Sequence, residues 1–131
     1  PAGDFEAKGR MLLGTGIVSA RCEAVLSGSV TPEGQIRIDS MTFSGANPAC
    51  KRIHAKALPW LGEPISSDQL QIKGMQVEVK SVLLGTVCGA AHVKGRWLAD
   101  KSTVQFPLTP LAPNCRFEGD LHITPFIQVQ P

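Results

Sequence analysis

Tyrosine is missing from this chain, and aromatic residues of any kind make up only 5% of it. That leaves little from which to build a stacked aromatic platform for carbohydrate. Charge is scarce too, at 18% of residues with a net of +2, so no strong field draws in nucleic acid or an anionic membrane. No apolar run approaches the ~18 residues of a membrane-spanning helix. No Cys-x-x-Cys occurs, which argues against a redox dithiol or a zinc ribbon. A Gly-x-Ser-x-Gly elbow and a glycine-rich phosphate loop are also lacking. Asn47 precedes Pro48 and Asn114 precedes Cys115, so there is no glycosylation sequon and a bacterial export product is favoured. The chain opens on Pro1 without Met or leader, as expected of a mature form trimmed of its signal peptide.

What is present starts with four cysteines. Cys22 and Cys50 are 28 positions apart, and Cys88 and Cys115 are 27 apart. Each bracket opens in a similar phrase, Cys22-Glu-Ala24 and Cys88-Gly-Ala90, and closes after a Pro-containing loop. Four cysteines allow three pairings. The brackets favour Cys22–Cys50 and Cys88–Cys115, in an oxidising compartment. With 131 residues the chain is one domain by size and can bury a sizeable core, so disulfides reinforce the fold rather than replace a core. Each loop of this size contributes roughly 3–4 kcal/mol in the loop-entropy view.

Period-2 alternation runs through most of the chain, the mark of strands with one buried face. Phe5, Ala7, Gly9 and Met11 alternate with Glu6, Lys8 and Arg10. Residues 18–27 alternate in the same way, turn at Thr31-Pro-Glu-Gly34, and return through Ile36 and Ile38. Parity then changes before Met41 and Phe43, which predicts a bulge near Asp39-Ser40. Residues 44–69 are punctuated by Gly and Pro and predict little beyond a short strand near Ile53–Ala57. Alternation resumes at Leu70 and Ile72, breaks at Gly74, and continues through Met75, Val77 and Val79. Later stretches cover Ala91–Trp97, Val104–Leu108, Cys115–Ile123 and a terminal Phe126–Val129. The expected architecture is all-β: a disulfide-stapled β-sandwich of about eight to ten short, mainly antiparallel strands without significant helix. Residues 1–12 read as an N-terminal extended strand and 13–131 as the single sandwich domain.

Chemistry-bearing residues do not converge. His92 and His122 occupy polar positions of alternating strands, and no His-x-His or His-x3-His spacing occurs around them or His54. The cysteines are assigned to disulfides, and the eleven carboxylates mostly alternate with Lys or Arg. No catalytic residue, cofactor or metal is expected. Trp60 and Trp97 read as core residues.

Two features suggest partners. The cluster Lys51, Arg52, His54 and Lys56, near Trp60, could receive an anionic partner; its ordinary explanation is a charged edge that resists sheet-to-sheet aggregation. The segment Asp4–Met11, with Phe5, Ala7, Gly9 and Met11 on one face, follows Pro1-Ala2-Gly3. It pairs within its own sheet by default, or adds to the sheet of a second copy and so propagates a fibre.

The order Cys22-x-Ala24, Phe43-Ser44-Gly45, Cys50, Leu58-Pro59-Trp60, Cys88, Gly95-x-Trp97 and Cys115 resembles the PraB-type alkane oxidation protein activator family of Gram-negative bacteria. The resemblance implies a small exported protein, tied to growth on alkanes and to the extracellular or biofilm setting, without catalytic residues to carry over. Taken together, the expectation is a secreted, non-enzymatic surface or matrix protein that self-associates or joins other matrix components. A monomeric binder of lipid, surfactant or glycan is the alternative. Neither nucleic-acid binding nor membrane spanning is expected.

Overall fold

A computed structural model of the chain describes residues 3–16, 18–80 and 85–125. Nine strands follow one another: β1 (Gly3–Thr15), β2 (Val18–Val30), β3 (Ile36–Ser44), β4 (Ile53–Lys56), β5 (Trp60–Ser66), β6 (Gln69–Lys80), β7 (Gly85–Leu98), β8 (Thr103–Leu111) and β9 (Cys115–Thr124). Two short 3₁₀ turns, Pro48–Arg52 and Ala99–Lys101, are the only helical segments among the described residues. The segment Phe126–Val129, expected to be a terminal strand, lies outside those residues.

The expected sandwich is corrected to a closed barrel. In a sandwich the outermost strands of each sheet keep an unpaired edge. Here β1 pairs with both β2 and β9, and β6 pairs with β7, so one antiparallel sheet runs round to meet itself. Eight positions make the ring, because β4 and β5 share one edge of β6: β5 along Gln69–Lys73 and β4 along Gln76–Val79. Alternation cannot tell the two architectures apart. Each asks only that every second side chain face a common interior.

That interior is apolar. Met11, Cys22, Ile38, Trp60, Val77, Val93, Phe117 and Leu121 are nearly inaccessible, and no polar or charged residue is buried among the described residues. Phe106 and Phe117 meet at 5.6 Å between ring centroids. Trp60 donates its indole N–H to the Lys56 carbonyl at 2.8 Å, which satisfies the one polar atom of a side chain only 1% exposed. Outward rows carry the charge, as with Glu6, Lys8 and Arg10 on β1. This is the reverse of a transmembrane barrel, whose outer face is apolar. No helix among the described residues is long and apolar enough to cross a membrane.

Bulges keep the faces in phase. Ser27 pairs with Ser40 and Gly28 with Ile38, so Asp39 is the extra residue that turns both Ile38 and Met41 inward. On β6 the ladder passes from Ile72–Val93 to Met75–Ala91, and Gly74 takes a left-handed φ of 76° there. β5 went unforeseen. Gly62 and Pro64 read as breakers, yet a strand tolerates Gly facing the core and Pro where its missing N–H is not needed.

Candidate functional site

The barrel has two unlike ends. At one, the turns Thr31–Gln35 and Ala99–Ser102 are tied down: the Gly34 N–H donates to the Thr31 carbonyl at 2.9 Å, and the Ser102 hydroxyl to the Ile123 carbonyl at 2.8 Å. Beneath them lies a cavity of about 30 Å³ lined only by apolar residues, Phe5, Ile36, Leu70, Phe106 and Ile123 among them. Ligand pockets run to roughly 300–1,000 Å³, so this space holds no lipid or alkane chain.

The other end carries both disulfides. Cys22 pairs with Cys50 and Cys88 with Cys115, with Cα–Cα distances of 5.6 and 5.9 Å, and no cysteine among the described residues is free. All four sulfur-bearing side chains are buried. Cys50 sits in the turn Pro48–Arg52, whose start is capped by the Asn47 side chain accepting from the Ala49 N–H at 2.9 Å.

Each disulfide lies where strand pairing gives out. β3 pairs with β5 only through Ile36, Arg37 and Ile38, and among the described residues no ladder joins residues 40–44 of β3 to β4. Cys22–Cys50 fastens β2, the neighbour of β3, to the turn that leads into β4. β7 pairs with β8 only through Arg96, Trp97 and Leu98. Cys88–Cys115 fastens β7 to β9, beyond β8, and the Gly89 N–H donates to the Ala112 carbonyl at 2.8 Å. Covalent bonds thus hold two seams that ladder hydrogen bonds do not.

The expected basic cluster flanks the first seam. Lys51 and Arg52 are exposed on the 3₁₀ turn, and His54 and Lys56 are exposed on β4. Lys56 reaches Glu78 at 3.4 Å and Lys80 reaches the same oxygen at 3.8 Å. That Glu78 oxygen is buried and accepts no hydrogen bond of good geometry, so the two ammonium groups are its compensation. Lys51 and Arg52 form no ion pair among the described residues. Between the seam walls runs a groove of about 460 Å³ lined by Ser40–Phe43, Lys51, His54 and Leu58.

The structure places the segment with Phe5, Ala7, Gly9 and Met11 inside the barrel wall. β1 pairs with β2 from Gly3–Val30 to Thr15–Val18, and with β9 from Glu6–Thr124 to Thr15–Cys115. Phe5, Ala7 and Met11 face the core. At Gly9 a Cβ would run into the Asp120 carbonyl of β9, so glycine allows this close approach. The turn after β1 is latched. The Gly16 N–H donates to both the backbone carbonyl and the side-chain oxygen of Asn114, at 3.1 and 2.9 Å. Arg116 donates to the Gly16 carbonyl at 2.8 Å. Sequence reasoning missed this latch, and no local signal could have found a contact spanning 98 residues.

His54, His92 and His122 are all exposed, and His122 Nδ1 lies 3.1 Å from the Lys101 carbonyl. Among the described residues no three His, Cys, Asp or Glu side chains come together to hold a metal.

A family model described as alkane oxidation protein activator PraA/PraB-like matches residues 1–131. The chain belongs to this family. No curated protein and no solved structure matches it. For a PraA/PraB-like protein, the family description concerns activation of alkane oxidation rather than the oxidation itself. The paired cysteines point to an oxidising, extracytoplasmic setting.

Proposed function

We propose that this PraA/PraB-like protein is a secreted, non-catalytic accessory of alkane utilisation, working at the cell surface or in the extracellular matrix by self-association through β1. One observation carries the reading: the strand that closes the barrel is the terminal one. It is held by two long ladders and by inward-facing Phe5, Ala7 and Met11. A β1 donated by a second copy makes the same contacts. Exchange therefore trades one set of bonds for an equal set, and the balance rests on the Gly16 turn and on concentration. A head-to-tail exchange does not close on itself and grows into a fibre. Such a matrix would assist growth on alkanes by holding cells or surfactant at an oil surface. A pocket binder of lipid, surfactant or glycan draws no support from a cavity of about 30 Å³.

Lys8 and His122 are cross-strand partners with exposed side chains on β1 and β9. A disulfide between Lys8→Cys and His122→Cys fixes β1 in its own barrel, since opposed residues of antiparallel strands lie within bridging range. The wild-type chain at high concentration is expected to form filaments in negative-stain micrographs. The oxidised double variant is expected to stay monomeric and to regain assembly on selective reduction. Equal assembly of the locked form, or a wild-type chain that never exceeds a monomer, sinks the reading.

A further inference from the structure

We infer that the seam between β3 and β4 is a docking groove for an extended acidic segment of a partner polypeptide. Three observations converge there. First, residues 40–44 of β3 are paired with β2 on one side and, among the described residues, with no strand on the other. An unpaired strand edge offers alternating N–H and C=O groups, which an added strand satisfies. Secondly, the groove along that edge has a volume of about 460 Å³, with Met41 and Leu58 providing apolar floor between polar rims. Thirdly, the opposite rim carries Lys51, Arg52 and His54. The nearby carboxylates are already engaged, Glu78 by Lys56 and Lys80, and Asp39 by Arg37 at 2.8 Å.

Charge and edge together select the occupant. A lone anion would satisfy the cations but leave the edge of β3 bare. A neutral strand would pair with the edge but leave Lys51 and Arg52 uncompensated. An extended chain with acidic residues at alternate positions meets both demands, because side chains two apart share one face of a strand. Apolar residues at the intervening positions then turn toward Met41 and Leu58. The Cys22–Cys50 disulfide fixes the turn bearing Lys51 and Arg52 against β2, so the cationic rim is in place before the partner arrives.

The test uses the full chain and a short fluorescein-labelled peptide of alternating Glu and Val, followed by anisotropy. Saturable binding is expected, with none for the matching Lys and Val peptide. The double substitution Lys51→Glu with Arg52→Glu should weaken binding at least about tenfold, since like charges brought face to face oppose association. Both substituted side chains are exposed, so its circular dichroism should match the wild type. A peptide with alternate backbone amides N-methylated keeps its charge but cannot pair with a strand edge, and it should also bind at least about tenfold more weakly. Equal affinity for the N-methylated peptide, or unchanged affinity in the double variant, overturns the inference. A heparin oligosaccharide that binds the same residues more tightly than the acidic peptide assigns the rim to a glycan and overturns it too.

Discussion

Gly9 shows how much a single position decides. Alternation assigns it to the same face as Phe5, Ala7 and Met11, where a larger apolar residue would be the natural choice. The reason for glycine is the Asp120 carbonyl, which occupies the place a Cβ would take. Gly9→Ala therefore forces β1 and β9 apart at the Gly9–Leu121 pair. Overpacking of this kind costs about 1–3 kcal/mol, and the loss should appear as a lower midpoint in urea unfolding. A midpoint within error of the wild type would mean that β9 yields freely. The tryptophans were legible by comparison: Trp60 and Trp97 are 1% and 3% exposed, as large apolar residues in a small domain should be. Exposed ion pairs such as Arg10–Glu23, at 2.9 Å on side chains 74% and 53% exposed, contribute little in water.

Among the elements, the strands differ in what holds them. β1 and β9 are bonded along most of their length, whereas β4 and the first half of β7 border seams that the disulfides cross. Removing a bridge should loosen its own seam before the rest of the barrel. With Cys22→Ala and Cys50→Ala together, stability should fall by about 2–5 kcal/mol. Amide exchange should rise first in residues 40–44 and 53–56 while β1 and β9 stay protected. Removing Cys88 and Cys115 should instead expose residues 85–91. Uniform acceleration across the barrel in both variants would show that the bridges act only on the unfolded chain. Equal spacing of the cysteines made the sequential pairing readable beforehand. The placement of each bridge over a gap in the ladder was not, because a gap is a property of two strands and of neither sequence alone.

For the whole molecule, the decisive contact is the latch between the two turns. Asn114 and Arg116 hold Gly16, and with it the path from β1 into β2. If β1 exchange underlies self-association, Asn114→Ala should favour it by loosening the turn while leaving the core untouched. The expected outcome is a larger oligomeric fraction in light scattering at equal concentration, with the unfolding midpoint lowered by no more than about 1 kcal/mol equivalent for a lost hydrogen bond. A fraction equal to or below that of the wild type would remove the turn from control of assembly. Closure itself belongs at this scale. The pairing of β1 with β9 joins the start and end of the described chain, and local pattern carries no trace of it.

By itself the sequence determined that this is an all-β chain, where most strands begin and turn, which side chains enter the core, and that the bulges fall at Asp39 and Gly74. Each of these follows from alternation and turn chemistry within a few neighbouring residues. Its cysteine spacing also favoured the two sequential bridges over the other pairings. Only the tertiary structure decided that the sheet closes into a barrel, that β5 is a strand despite Gly62 and Pro64, that the interior is filled, and that two seams stay unpaired. Those outcomes depend on which distant strands meet and how far their ladders extend, and a period of two is the same on either side of that choice.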